Sequence, residues 1–545
     1  MATVMATAKA PLAMPLPHRP TPRQVVSSVP MPSSAPGLVP RALAMACVAV
    51  LAGAVSGAAI AQQAGSRPRL EVTPALSVTQ TLTDSYRAKG ATAADGRSSE
   101  AITSISPGLR VTSRAGRVQG VFDYGLVGVL HARDSAANEI QHRLSASGRA
   151  ELVPNHLDLN ASASISRQPT SAFGVQSVDG SLTTNNQSDV RTLSLQPVLR
   201  GVLGGVVAVQ ASGNATRTDG GTQVGSRSTG ASLTLSPAAA GRVISWSLTG
   251  SRQISDFDGG RETTTDRAIA SLIVRPDAEL QVSVRGGVER SDLASLESRE
   301  SENYGAGILW TPTPRTRVSI DGDRRQFGDA HQVALEHRFR RSVWRYSDSR
   351  SVNDGSSSNG SGSQTTAYAL FFELFASQEP DPVARDLLVR SFLERNGVSP
   401  DTLLGGGGFV TGAVTIQRRQ ELSFALSGVR TTFTAAVFQT TSERGDTLSG
   451  ADDDLATGPV RQRGLSVTVT HRLTPTTGLN FNVSSQRSRS LAAAGSNNLD
   501  SVALGWNSRL SRQSTLSLTV RHAAYDSDTE PYTENAVTAA FSTRF

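Results

Sequence analysis

From Leu70 to the C-terminus, apolar and polar residues alternate with a period of two. Leu157, Leu159, Ala161, Ala163 and Ile165 are interleaved with Asp158, Asn160, Ser162, Ser164 and Ser166. Leu280, Val282 and Val284 likewise alternate with Gln281, Ser283 and Arg285, and Leu479, Phe481 and Val483 with Asn480, Asn482 and Ser484. Successive side chains on a strand point to opposite faces, so each segment has one greasy face and one wet face. A soluble sandwich shows the same alternation, so strand length and connections must decide. The segments run about 9 to 14 residues, enough for a tilted strand to cross a bilayer and longer than the usual soluble strand.

The connections alternate strictly between short and long. Short turns fall at 114–117, 153–156, 200–204, 237–241, 276–278, 312–315, 428–430, 475–478 and 511–513. Long polar loops fall between them, at 167–189, 257–266, 290–302, 442–461, 487–499 and 526–535. Outer-membrane barrels have short periplasmic turns and longer external loops. The pattern therefore predicts an all-β fold, a closed antiparallel transmembrane β-barrel of about 22 strands (20–24), occupying residues 62–545. An even count puts both termini and every short turn on the periplasmic side. The last segment carries Val537, Ala539, Phe541, Thr543 and Phe545 on one face. Phe541 and Phe545 match the C-terminal signal by which such barrels are handed to the barrel insertion machinery.

One stretch, 351–412, breaks the rhythm. A Gly/Ser/Asn spacer (353–364) precedes the apolar run Tyr368–Phe375. Asp381 as N-cap, Pro382 at the first position and Asn396-Gly397 at the end then mark a helix over 381–396. Val383, Leu387, Leu388, Phe392 and Leu393 form its apolar stripe. Parity places this insertion on the external side as a lid, or folded into the lumen as a plug. In the competing reading Tyr368–Phe375 and Phe409–Thr411 belong to two further strands, which puts the helix in the periplasm.

Residues 1–61 change the picture of compartment. Arg41 precedes an Ala/Val/Leu run ending Ala59-Ile60-Ala61, then Gln62. That is the signal-peptide pattern with cleavage between Ala61 and Gln62; a retained anchor and a lipoprotein at Cys47 are the competing readings. The n-region is long, and Met31 would give a leader of ordinary length. The leader's four cations (Lys9, Arg19, Arg23, Arg41) account for part of the formal +7, leaving +3 for the mature chain. That balance argues against nucleic acid as a partner. Cys47 is the one cysteine, so a mature chain without it has no disulfide, zinc-thiolate or cysteine chemistry. Aromatic residues reach only 5%, which departs from general barrel habits and weakens any claim of Trp/Tyr girdles.

Catalytic and cofactor motifs are not evident, and the expectation is no enzyme, no cofactor and no metal site. The histidines show no metal-binding spacing, and Gly405–Gly408 lacks the Lys-Ser/Thr of a phosphate loop. Asp452-Asp453-Asp454 reads as a solvated acidic external loop, with a divalent-cation site as the alternative. Arginines are more suggestive. Arg110, Arg275, Arg338, Arg340, Arg472, Arg509 and Arg544 recur near the inferred periplasmic strand ends. Alternation turns Arg338, Arg340, Arg472 and Arg544 toward the lumen. Basic rings favour anionic solutes; otherwise these residues line a wet interior and pair with Glu336 and Asp321.

The opening EVTPALSVTQTLTDSY, the stretch ISPGLRV, the segment ELFASQEPDPVARDLLVRSFLERNGV and the following VTIQRRQELSFALSGVRTTFTAAVF resemble the PEP-CTERM system-associated outer membrane protein family. The resemblance covers essentially the whole mature chain, and PDPVAR is its most specific part. It implies an outer-membrane component of extracellular polysaccharide or surface-protein export, and brings no catalytic residues with it. Outer-membrane lipid, lipopolysaccharide and periplasmic polysaccharide-export proteins are the partners to expect. The functions that follow are a pore or conduit, a non-conducting assembly barrel, or a hydrolase built from distant loops. Intact-mass analysis of protein purified from outer membranes is expected to find Gln62 at the N-terminus; a mass retaining the apolar run would establish the anchor instead.

Overall fold

The computed structural model describes residues 70–545, apart from 88–95, 114–115, 179–185, 221–224, 240, 242, 259–260, 294–296, 354–366, 377–378, 380–381, 396–407, 446–453 and 529. Ala61, Gln62, Asp381, Asn396 and Gly397 lie outside the described residues. The described chain forms β1 (Leu70–Tyr86), β2 (Ser98–Ser113), β3 (Val118–His131), β4 (Glu139–Val153), β5 (Leu157–Pro169), β6 (Gln187–Leu203), β7 (Val207–Asp219) and β8 (Gly225–Pro237). Then come β9 (Ile244–Phe257), β10 (Thr263–Val274), β11 (Leu280–Ser291), β12 (Arg299–Thr313), β13 (Thr316–Arg325), β14 (Gly328–Arg338) and β15 (Ser342–Asn353). Helices α1 (Ala367–Phe375) and α2 (Pro382–Arg395) follow. The chain finishes with β16 (Thr415–Ser427), β17 (Thr431–Arg444), β18 (Val460–Arg472), β19 (Thr477–Ser490), β20 (Ser496–Arg509), β21 (Ser514–Ser527) and β22 (Tyr532–Arg544).

All twenty-two strands belong to one sheet, each paired antiparallel with its sequence neighbours. Pairing of β1 with β22, from Ala75 opposite Arg544 to Thr83 opposite Ala536, closes it into a barrel. Strands run 10 to 17 residues, longer than the alternation alone marks, because the ladders continue past the apolar belt into the loops. β6, for example, extends to Leu203 and turns through Gly204 and Gly205, whose φ values of 58° and 72° suit the two-residue hairpin that only glycine enters freely. The alternation of loop lengths is looser than the sequence suggests: the connections 220–224, 258–262, 491–495 and 528–531 at the long-loop end are no longer than the turns 238–243 and 275–279 at the other. β13 and β14 are joined at the long-loop end by Gln326 and Phe327 alone.

The register sorts side chains into two faces. Val78 sits opposite Ile105 on one side and Phe541 on the other, and all three are exposed on the outer wall. Val284, 57% exposed, and Leu248, 46% exposed, lie on the same outer face. A contiguous apolar surface of this extent is incompatible with water and is the surface a bilayer core requires. The inner face carries hydroxyl ladders across neighbouring strands: Ser194 to Thr216 at 3.1 Å, Ser212 to Ser232 at 2.7 Å, and Ser484 to Ser501 at 2.7 Å.

The structure corrects the expectation about girdles. Trp246, Trp310, Trp344 and Trp506, the chain's four tryptophans, all lie on outward register positions close to the short turns. Phe424, whose ring centroid is 4.4 Å from that of Trp344, joins them. Few aromatics suffice when placed at one height, where amphipathic rings meet the membrane interface.

The two faces should respond oppositely to charge. Val284→Arg, at the middle of the β11 outer row, is expected to cost about 2–4 kcal/mol in reversible unfolding from phospholipid vesicles. Inward Ser283→Arg should stay within about 1 kcal/mol; equal losses would contradict the assignment of faces.

Candidate functional site

The inner wall is the surface that can act on a solute. Toward the long-loop end its charges form closed networks. Arg325 holds both carboxylate oxygens of Glu289 at 3.0 Å, and the Asn303 amide donates to the same carboxylate at 3.0 Å. Arg285 donates to Asp323 at 2.6 Å and to Asp321 at 3.1 Å. Arg521 and Thr83 both donate to the fully buried Glu534.

Toward the short-turn rim, arginines outnumber carboxylates. Arg338 is opposite Val343, Arg472 opposite Gly478 and Arg544 opposite Ala75, all inward positions. Arg110, Arg275 and Arg509 occupy inward positions at similar height. The register adds Arg149 and Arg200, which together clamp Asp158, and Arg317 and Arg345, which face Glu336 from two sides. These four were not singled out by sequence, although the same parity count would have found them. Arg340 departs from the expectation. The Phe339 N–H donates to the Ser342 carbonyl at 2.7 Å, so the hairpin turns at Phe339 and alternation stops before Arg340. Arg340 sits exposed in the turn, at the rim and off the wall.

The insertion reaches deep into the barrel. Leu370, Phe371, Leu374 and Phe375 of α1 pack with Val389 and Leu393 of α2 and with Val343, Ala425 and Ala436 of the wall. Those three wall residues face inward and are essentially solvent-free. α1 and α2 therefore lie inside the lumen. Val343 is ten positions from the long-loop end of β15 at Asn353, roughly 30 Å of strand. Polar links tie the two helices. Tyr368 donates to Asp386 at 2.7 Å, and Arg390 donates to the same oxygen at 2.8 Å. Burial, followed by the hydrogen bond to Asp386 and its charge, pushes the Tyr368 phenol above its usual range. Val389 was missed by the sequence reading, while Leu388, Phe392 and Leu393 pack as expected; nothing is described for the side chains of Val383 and Leu387.

A second obstruction crosses the long-loop mouth. Residues 170–178, which follow β5, reach the inner wall of β20, β21 and β22. Tyr525 donates to the Gly174 carbonyl at 2.9 Å, Tyr532 to that of Gln176 at 2.5 Å, and Asn497 to that of Ala172 at 2.8 Å. Asp454 accepts from Ser171 Oγ at 2.9 Å and from the Ala172 N–H at 2.5 Å. This carboxylate is thus a loop anchor, where solvation or a cation was expected; Asp452 and Asp453 lie outside the described residues. Among the described residues no group of three His, Cys, Asp or Glu could hold a metal ion.

No family model and no curated protein matches the chain. Solved structures that resemble it include the FrpB iron transporter of Neisseria meningitidis, with 9% identity over 87% of this chain and 81% of that one and a TM-score of 0.45. The siderophore receptor PirA of Pseudomonas aeruginosa has 9% identity over 88% and 81%, TM-score 0.37. A BenF-like porin of Pseudomonas fluorescens Pf-5 has 9% identity over 87% and 99%, TM-score 0.34. At such identities and scores the likeness assigns no solute or mechanism to this chain.

Docking of the hairpin rests on apolar burial, so Leu374→Ala or Leu393→Ala should weaken it by about 2–5 kcal/mol. Limited proteolysis in detergent is expected to cleave within 354–411 faster in these variants, with heat-modifiable gel mobility of the barrel unchanged.

Proposed function

We propose that the chain is an outer-membrane conduit, closed at rest, for hydrophilic and preferentially anionic material such as an acidic extracellular polysaccharide. One observation carries this reading: a hydroxyl-lined lumen with inward arginines at one rim is obstructed by a separately packed helical hairpin instead of by its own wall. Barrels of this size enclose either an aqueous channel or a plugged lumen. A plug docked by a small apolar contact is one that can be displaced, whereas a wall of side chains is not. The basic rim supports anion preference. The resemblance to the PEP-CTERM-associated family supports polysaccharide or surface-protein export, with periplasmic export proteins as partners at the short-turn rim. The apolar belt and the terminal Phe541 and Phe545 support outer-membrane location and delivery by the barrel insertion machinery. No reacting group is required, and the reading is not that of an enzyme.

A second reading, a permanently blocked barrel that organises other export proteins, draws on the same hairpin contact, because the hairpin has a buried core of its own that leaves Val343, Ala425 and Ala436 of the wall solvent-free. Planar-bilayer conductance separates the two. Wild-type protein is expected to show low conductance, and the Leu374→Asp/Leu393→Asp variant several-fold higher conductance with anion selectivity. If the variant stays silent while its hairpin is protease-sensitive, and does so even when Tyr525→Phe/Tyr532→Phe also removes the hydrogen bonds that hold the mouth segment 170–178, the conduit reading fails. In cells, loss of the protein should leave polysaccharide in the periplasm.

A further inference from the structure

Four arginines form a two-by-two grid on the outer wall. Arg461 is the register partner of Arg489, and Arg463 that of Arg487, across the β18–β19 pair. All four share the parity of Leu465 and Phe481, which are exposed on the lipid-facing surface. Toward the long-loop end the basic positions follow Leu465 directly on β18, and follow Phe481 on β19 after Val483 and Ser485. They therefore stand at the edge of the belt, at the height of lipid headgroups.

Directly opposite side chains on an antiparallel pair have Cβ atoms about 5 Å apart, and like charges there repel. Elsewhere on the outer wall that problem is met by carboxylates. Arg418 reaches Asp348 at 2.8 Å, Arg350 reaches Glu443 at 3.2 Å, and Arg324 reaches Asp329 at 2.7 Å. No carboxylate of the described residues lies within ion-pair distance of Arg461, Arg463, Arg487 or Arg489. Among the described residues Arg463 donates to the neutral Gln439 alone, at 2.7 Å, and the buried Nε of Arg461 has no partner. Asp500, beside the grid on β20, is engaged by Asn498 at 2.6 Å. A smaller like-charge pair, Arg217 opposite Arg227, stands on β7–β8 beside Asp219 and Asp256.

We infer that the Arg461/Arg463/Arg487/Arg489 grid is a binding site for the phosphate groups of an anionic lipid in the leaflet at the long-loop rim. Guanidinium forks match phosphate oxygens in paired geometry, and Leu465 and Phe481 below them receive the acyl chains. The inference rests on the reading of the chain as a membrane-spanning barrel, and on nothing about transport.

The test uses full-length protein in detergent micelles, with diphosphoryl lipid A, its dephosphorylated form and inorganic phosphate as separate probes and native mass spectrometry as the readout. Wild-type protein should retain the diphosphorylated lipid about ten- to a hundredfold more tightly than Arg461→Gln/Arg489→Gln or Arg463→Gln/Arg487→Gln, the range expected for lost charge-assisted hydrogen bonds. The dephosphorylated lipid should show no such difference. Arg252→Gln, whose arginine already lies 3.7 Å from Asp266, serves as the control that keeps wild-type retention. Equal retention by wild type and both double variants overturns the site. Binding of inorganic phosphate with no preference for the lipid overturns the lipid assignment. Heat-modifiable mobility of the same samples reports separately on the membrane-barrel reading, so its failure is distinguishable from failure of the grid.

Discussion

The structure depends on one requirement: a sheet immersed in hydrocarbon must satisfy every backbone N–H and C=O within itself. An unpaired peptide group in lipid costs several kcal/mol, and an open edge carries a whole row of them. Pairing of β1 with β22 removes that edge. Once the sheet is closed, one face of every strand meets lipid and the other meets the lumen, and the sequence has to alternate accordingly. Given an antiparallel meander, closure through an antiparallel β1–β22 pair requires an even strand number and puts both barrel termini at the same end.

A barrel of twenty-two strands is too wide for wall side chains to fill, so chain segments fill it instead. That explains the apolar patch of Val343, Ala425 and Ala436 on an inner face given largely to Ser, Thr and charged residues: it is the seat of α1, against which α2 packs. Burying residues such as Leu370, Leu374 and Leu393 contributes about 1.5–3 kcal/mol each. The mouth segment 170–178 uses the other chemistry available in a wet interior, hydrogen bonds from Tyr525, Tyr532 and Asn497 to backbone carbonyls. The two obstructions differ in physical kind and would yield to different forces.

Charge is arranged by height as well as by face. Inside, ion pairs close on themselves toward the long loops, and arginines dominate near the short turns. Outside, the tryptophans stand at the short-turn end, and the arginines of β18 and β19, which meet no carboxylate among the described residues, stand at the other. The outer wall is therefore polar in two senses, with amphipathic rings at one interface and cations at the other. Such asymmetry fits a membrane whose two leaflets differ.

The sequence by itself determined the strands, their faces and their number, because a period of two is a local property and each residue's face follows from its place in the count. Arg338, Arg472 and Arg544 were legible in this way; Arg340 was not, since a turn one residue early ends the alternation. Tertiary structure alone decided where α1 and α2 rest, which loop crosses the mouth, that Asp454 anchors it, and that Arg461 and Arg463 meet Arg489 and Arg487. Those facts join residues far apart in the chain or set the exact pairing of neighbouring strands. Periodicity says which way a side chain points, whereas closure of the barrel and the register of its ladders decide what it meets there.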